Sequence, residues 1–94
     1  MIPKKVRICG LDYKVEIDND MHRDNGFQGL HDAKKLIIKL QKDGYSDDKV
    51  FQTFIHEVTH AINYHYNNDE LSEEQVDRMA NGFHAFLKDN KEVR

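Results

Sequence analysis

The apolar residues of this chain change their spacing midway, and that change limits the possible fold more than any other feature. Val6 and Ile8, then Tyr13, Val15 and Ile17, fall at alternate positions, with Lys14 and Glu16 between the last three. This is the period of a half-buried strand. From residue 50 onward, Val50, Phe51, Phe54, Ile55, Val58, Ala61 and Ile62 recur at three- and four-residue spacing, the period of one helix face. Strands first and helices second read as an α+β fold. A chain of 94 residues has room for one modest core. The expectation is therefore one domain over 1–94, mainly β over 1–45 and a helical hairpin over 46–94.

Local signals divide these halves. Gly10-Leu11-Asp12 offers a turn between the first two extended runs, giving a hairpin. Asn19 to Gly26 is polar and turn-rich and reads as a loop. A second hairpin is expected from Phe27 to Gln41. Within it the stretch 34–41 has helical propensity, but Leu36, Ile38 and Leu40 alternate as in a mostly buried strand. The sheet is thus expected to be small and antiparallel, made of two hairpins. Asp43-Gly44 breaks the run, and Ser46-Asp47-Asp48 supplies a helix cap followed by acidic residues that the dipole favours. Asn67-Asn68-Asp69 stops that helix. Ser72 and Gln75 then form a capping box, with Leu71 and Val76 placed for a hydrophobic staple. Val76, Met79, Ala80, Phe83, Phe86 and Leu87 supply the expected apolar face of the last helix.

The net charge of −3 and a pI near 6.0 give no basic excess, so a nucleic-acid partner is not expected. Lys4, Lys5 and Arg7, and later Lys34, Lys35, Lys39 and Lys42, read as solvated faces among interleaved acids. Cys9 is the single cysteine, so no disulfide closes within the chain. The start lacks the apolar run of a secretory signal, and no apolar stretch approaches the roughly 18–20 residues that span a bilayer. A cytoplasmic protein with no membrane association is expected.

The stretch that carries chemistry is His56-Glu57-Val58-Thr59-His60, an H-E-x-x-H motif inside the first amphipathic helix. Residues four apart share one helix face, so two imidazoles there can grip one metal ion. Glu57 lies roughly 100° round the helix from His56, beside the metal rather than on it. From there its carboxylate can act as general base toward a water activated by the metal. One Zn²⁺ per chain and a metallopeptidase acting on a protein or peptide are the expectation. The bland alternative is two surface histidines and a glutamate on a solvated stripe.

A catalytic zinc usually takes a third protein ligand. The extended pattern H-E-x-x-H-x-x-G-x-x-H fails, because positions 63 and 66 are Asn63 and Tyr66. Glu73, Glu74, Asp77 and His84 of the next helix remain. If the first helix runs to Tyr66, an antiparallel partner brings Asp77 level with His60. If it ends or bends near Asn63, Glu73 comes level instead. Residue chemistry alone leaves Glu73 and Asp77 even. Donors for a developing oxyanion are Tyr64, His31, His65, Tyr45 and Tyr66, each more often a packing or surface residue. His22 carries no usable signal.

The segment Thr53–Ile62 resembles the active-site helix of small phage and prophage metallopeptidases related to the ImmA/IrrE-like group of gluzincins. In that group a second motif reads E-x-x-A-[N/D]-x-F-A, and Glu73-Glu74-Gln75-Val76-Asp77-Arg78-Met79-Ala80 is similar, with Val76 and Met79 replacing Ala and Phe. The resemblance implies Glu73 as third zinc ligand beside His56 and His60, with Asp77 orienting a ligand histidine. It also implies a small sheet on the active-site helix whose edge strand aligns an extended peptide, for which residues 35–41 are the candidate. It covers residues 53–80 well and the strand half only in layout. Two rivals are kept: a zinc-stabilised interaction module without turnover, and a DNA-associated peptidase of SprT-like type. The latter is disfavoured by the acidic balance and the lack of a zinc-ribbon cysteine set.

Overall fold

The computed structural model describes residues 2–22 and 27–93. The chain is α+β, a four-stranded sheet followed by two helices. Strands β1 (Lys5–Ile8) and β2 (Leu11–Ile17) form one antiparallel hairpin, and β3 (Gly29–Asp32) and β4 (Ile37–Leu40) form the other. The helices are α1 (Asp47–Tyr66) and α2 (Glu73–Asp89), with a 3₁₀ turn over Lys91–Val93.

Both hairpins match the expectation, but the way they join does not. The sheet order is β1-β2-β4-β3, and β2 runs parallel to β4, with Lys14 opposite Ile37 and Ile17 opposite Leu40. The sheet is therefore mixed rather than purely antiparallel. After β2 the chain skips one strand width, lays β3 at the far edge, and returns β4 into the gap. A strand returning that way must run with β2. The arrangement gives the most apolar strand two neighbours, and Ile38 and Leu40 are fully buried. It also overturns the expected edge. Within 35–41, residues 37–40 form the inner strand β4, 35 and 36 the turn before it, and Gln41 follows it, while the edge on that side is β3.

The turns explain the shifted boundaries. Cys9 and Gly10 both sit at positive φ (56° and 76°), the geometry of a two-residue type I′ hairpin turn. Leu11 already pairs with Ile8, so the turn falls one residue earlier than Gly10-Leu11-Asp12. In the second hairpin, Asp32 Oδ1 accepts hydrogen bonds from the backbone N–H of Lys34 and Lys35, both at 3.0 Å. That Asx turn, closed by Leu36 at φ 56°, takes residues 34–36 out of the expected strand. Of the expected 19–26 loop, residues 23–26 lie outside the described residues. In the described part Asn19 Oδ1 accepts from the N–H of Lys42 and Asp43.

Both helix starts form as the sequence indicates. Ser46 Oγ accepts from Lys49 N–H at 3.1 Å. The capping box is complete, Ser72 Oγ accepting from Gln75 N–H and Gln75 Oε1 from Ser72 N–H. α1 lays Val50, Phe54, Ile55 and Ala61 into one core with Ile8, Tyr13, Ile38 and Leu40. α2 packs chiefly on α1, through the stripe Val76, Ala80 and His84. Met79, Phe83 and Phe86, expected on its buried face, are about half exposed. A helix with one neighbour buries one narrow stripe, and the flanking apolar positions stay in solvent. No described helix is long and apolar enough to cross a membrane.

Candidate metal centre

Side chains four apart on α1 bring the His56 and His60 rings to 4.8 Å between centroids. Glu73, the first residue of α2, reaches both. Its Oε1 lies 2.9 Å from His56 Nε2 and its Oε2 lies 2.9 Å from His60 Nε2. These three residues offer ligand atoms that all fall within 4.8 Å of one another, close enough to hold a metal ion. Ligands of one tetrahedral zinc at about 2.0–2.2 Å from the ion stand some 3.3–3.6 Å apart, so the cluster has the right span.

Helix length alone would have brought the other carboxylate, Asp77, level with His60. α1 does run to Tyr66, yet Glu73 and not Asp77 comes level with His60. Asn63 is the reason. It is 2% exposed, and its side-chain oxygen accepts from the N–H of Leu71 (3.1 Å) and from Asn67 Nδ2 (3.1 Å). Its amide donates to Asp69 Oδ1 at 3.2 Å, and its backbone carbonyl takes the N–H of both Asn67 and Asp69. Asn68 and Asp69 at positive φ turn the chain sharply. The connection folds back along the last turn of α1, and α2 begins beside residues 56–60 rather than beyond Tyr66.

Asp77 sits one helical turn further along α2, its Oδ1 3.4 Å from His56 Nδ1. His56 is thus flanked by a carboxylate at each ring nitrogen. A neutral imidazole carries one N–H and can satisfy only one of them. The other nitrogen then points a lone pair at an anion, an unfavourable contact that a bound cation or a second ring proton relieves. If Nδ1–H faces Asp77, the Nε2 lone pair is directed at Glu73, which is the tautomer a metal ligand needs. The donor set of two imidazoles and one carboxylate fits a divalent cation of the zinc type.

Glu57 is 6% exposed and packed beneath β3. Gly29 makes this possible, since a Cβ there would lie 2.7 Å from Thr53 Cγ2 and 2.9 Å from Glu57 Oε2. Burial, with the Glu73 charge adding to it, pushes the Glu57 carboxyl up to about 8. Two cleft lobes meet at these residues and share Phe27, Gly29, His56, Glu57 and Glu73. One lobe, about 350 Å³, is bounded by Lys49, Gln52 and Asn81, and the other, about 760 Å³, by Leu30, His31 and Tyr64.

The remaining sequence candidates separate. His31 and Tyr64 line the larger lobe. His65 turns inward to Tyr13. Tyr66 is in solvent, and Tyr45 packs on the core beside His22. His84 is no ligand; it is buried with Nε2 3.2 Å from Asp48 Oδ1 at the start of α1. Glu74 pairs with Arg78. Sequence reasoning missed Gly29, Asn63 and Tyr13. Asn63 could be read only as a failure of the extended motif, and Tyr13 only as one apolar position in an alternating strand. No family model matches the chain, and comparisons with curated proteins and with solved structures give no match.

Proposed function

We propose that this chain is a zinc-dependent metallopeptidase hydrolysing peptide bonds in a protein or peptide. The observation that carries the reading is the convergence of His56, His60 and Glu73, with buried Glu57 beside them and an open cleft in front. His56 and His60 would present Nε2 and Glu73 its carboxylate, while Asp77 holds His56 in the tautomer that frees Nε2. A zinc ion bound there supplies Lewis acidity toward water and the substrate carbonyl. Glu57 then takes the proton of the attacking water and returns it to the leaving amine. Burial and the Glu73 charge favour the protonated Glu57 in the metal-free fold, and a bound dication would favour its ionised form, the one that accepts the proton of water.

Substrate alignment falls to β3. It is an edge strand, it passes α1 at Gly29 and His31, and its outer backbone edge can pair with an extended peptide. Metal analysis tests the reading directly. Purified protein should carry about one zinc per chain, and His56→Ala should carry none. Glu57→Gln should keep the metal and lose at least about 100-fold of its activity on unfolded protein or a peptide library. Absence of zinc in the wild type ends the proposal. Zinc without Glu57-dependent cleavage makes the protein a metal-stabilised binding module.

A further inference from the structure

The cleft wall holds a second polar assembly that metal binding does not use. Tyr13 on β2 is 1% exposed, and its hydroxyl meets His31 Nε2 at 2.7 Å and His65 Nε2 at 2.6 Å. His31 comes from β3 and His65 from the last turn of α1, so the phenol ties three elements together. On β3, residues 29 and 31 face the same side. Gly29 lies against Glu57, which places His31 one strand repeat, about 6.8 Å, further along the same wall. His31 borders the larger lobe with His60 and Glu73.

A phenol has one proton to give, so its two imidazole partners cannot be alike. When Tyr13 donates to His65, His31 must donate from Nε2 and its Nδ1 is bare. When Tyr13 donates to His31 Nε2, the remaining proton of a neutral His31 is on Nδ1, and His65 donates from Nε2 to the phenol oxygen. No hydrogen bond engages His31 Nδ1 among the described residues. Burial, followed by His65 and His60, disfavours protonation of His31, with Asp32 and Asp69 acting in the opposite sense.

We propose that His31 is a catalytic residue donating Nδ1–H to the oxygen that gains charge on the scissile carbonyl, with Tyr13 and His65 as positioning residues that hold this tautomer. The proposal rests on the peptidase reading and adds the donor that reading lacks. Of the other donor candidates, Tyr64 is half in solvent, Tyr66 is exposed, and His65 and Tyr45 line neither lobe.

Two substitutions at one position separate a catalytic from a structural role. Gln extends an amide to where Nε2 lies, keeping the Tyr13 contact and removing the cleft donor. Asn places an amide N–H near Nδ1 and abandons Tyr13. Zinc-loaded protein should lose about 100-fold in kcat as His31→Gln, with KM and zinc content unchanged, and His31→Asn should retain more. The reverse order, or unchanged kcat in both, overturns the proposal. Imidazole ¹⁵N shifts of the zinc-free protein give a readout independent of activity. They should show His31 as Nδ1–H in the wild type and as Nε2–H in Tyr13→Phe. A wild-type Nε2–H tautomer overturns the assignment. Loss of the peptidase reading has a different mark, turnover that Glu57→Gln leaves unchanged, and it removes the catalytic role of His31 while the ¹⁵N result still decides the Tyr13–His65 arrangement.

Discussion

Glu57 joins stability to pH. An isolated glutamate ionises near 4.5, whereas this one holds its proton to about 8 in the metal-free fold. Between those values the folded state binds more protons than the unfolded one, so stability falls as pH rises, by at most about 1.4 kcal/mol per pH unit. Urea midpoints of EDTA-treated protein from pH 5 to 8 should show that decline, and Glu57→Gln should flatten it. Gly29→Ala drives a methyl into Thr53 Cγ2 and Glu57 Oε2, and should cost about 1–3 kcal/mol. Adding Thr53→Ser, which removes the nearer contact, should recover part of that loss. At the first hairpin, Cys9 holds a backbone conformation better suited to Asn, and Cys9→Asn should raise the melting temperature by a few degrees. The motif residues were legible one by one because metal chemistry fixes both their type and spacing. Gly29 was not, since its role depends on a side chain from another element.

At the level of elements, capping chemistry and apolar period located both helices, because those signals are local. Strand partnership was less legible. Alternation shows that a segment is a strand and which side faces inward, but not which neighbour it takes, and so β4 could be read as an edge although it lies inside. The geometry of the α1–α2 connection depends on Asn63, whose side chain ties α1 to Asn67, Asp69 and Leu71. Asn63→Ala leaves the part-buried N–H of Leu71 without its side-chain acceptor and should destabilise by about 1–3 kcal/mol. It should also weaken zinc binding, measured by competition with a chromophoric chelator, because the connection places Glu73. Ser72→Ala removes the cap immediately before Glu73 and should cost about 1 kcal/mol, read from the denaturation midpoint.

Among the described residues the core lies between the sheet and α1, and α2 adds only Ala80, with Leu87 packed against it, from one side. Excess zinc should therefore raise the melting temperature in a concentration-dependent way, and His56→Ala should abolish the increase. The narrow stripe of Val76, Ala80 and His84 carries the Asp48–His84–Lys88 contacts at its far end. The Glu73 end meets α1 through buried Val76 and the carboxylates of Glu73 and Asp77 beside His56 and His60, where a bound ion would add a further tie. Chelation should then speed amide hydrogen exchange first in the opening turns of α2, while β4 and the middle of α1 keep their protection. A helix fastened in this manner works as a latch. With an ion bound, the carboxylate that ligates it would also fasten the last helix, so losing the ion would loosen the fold as well as the site.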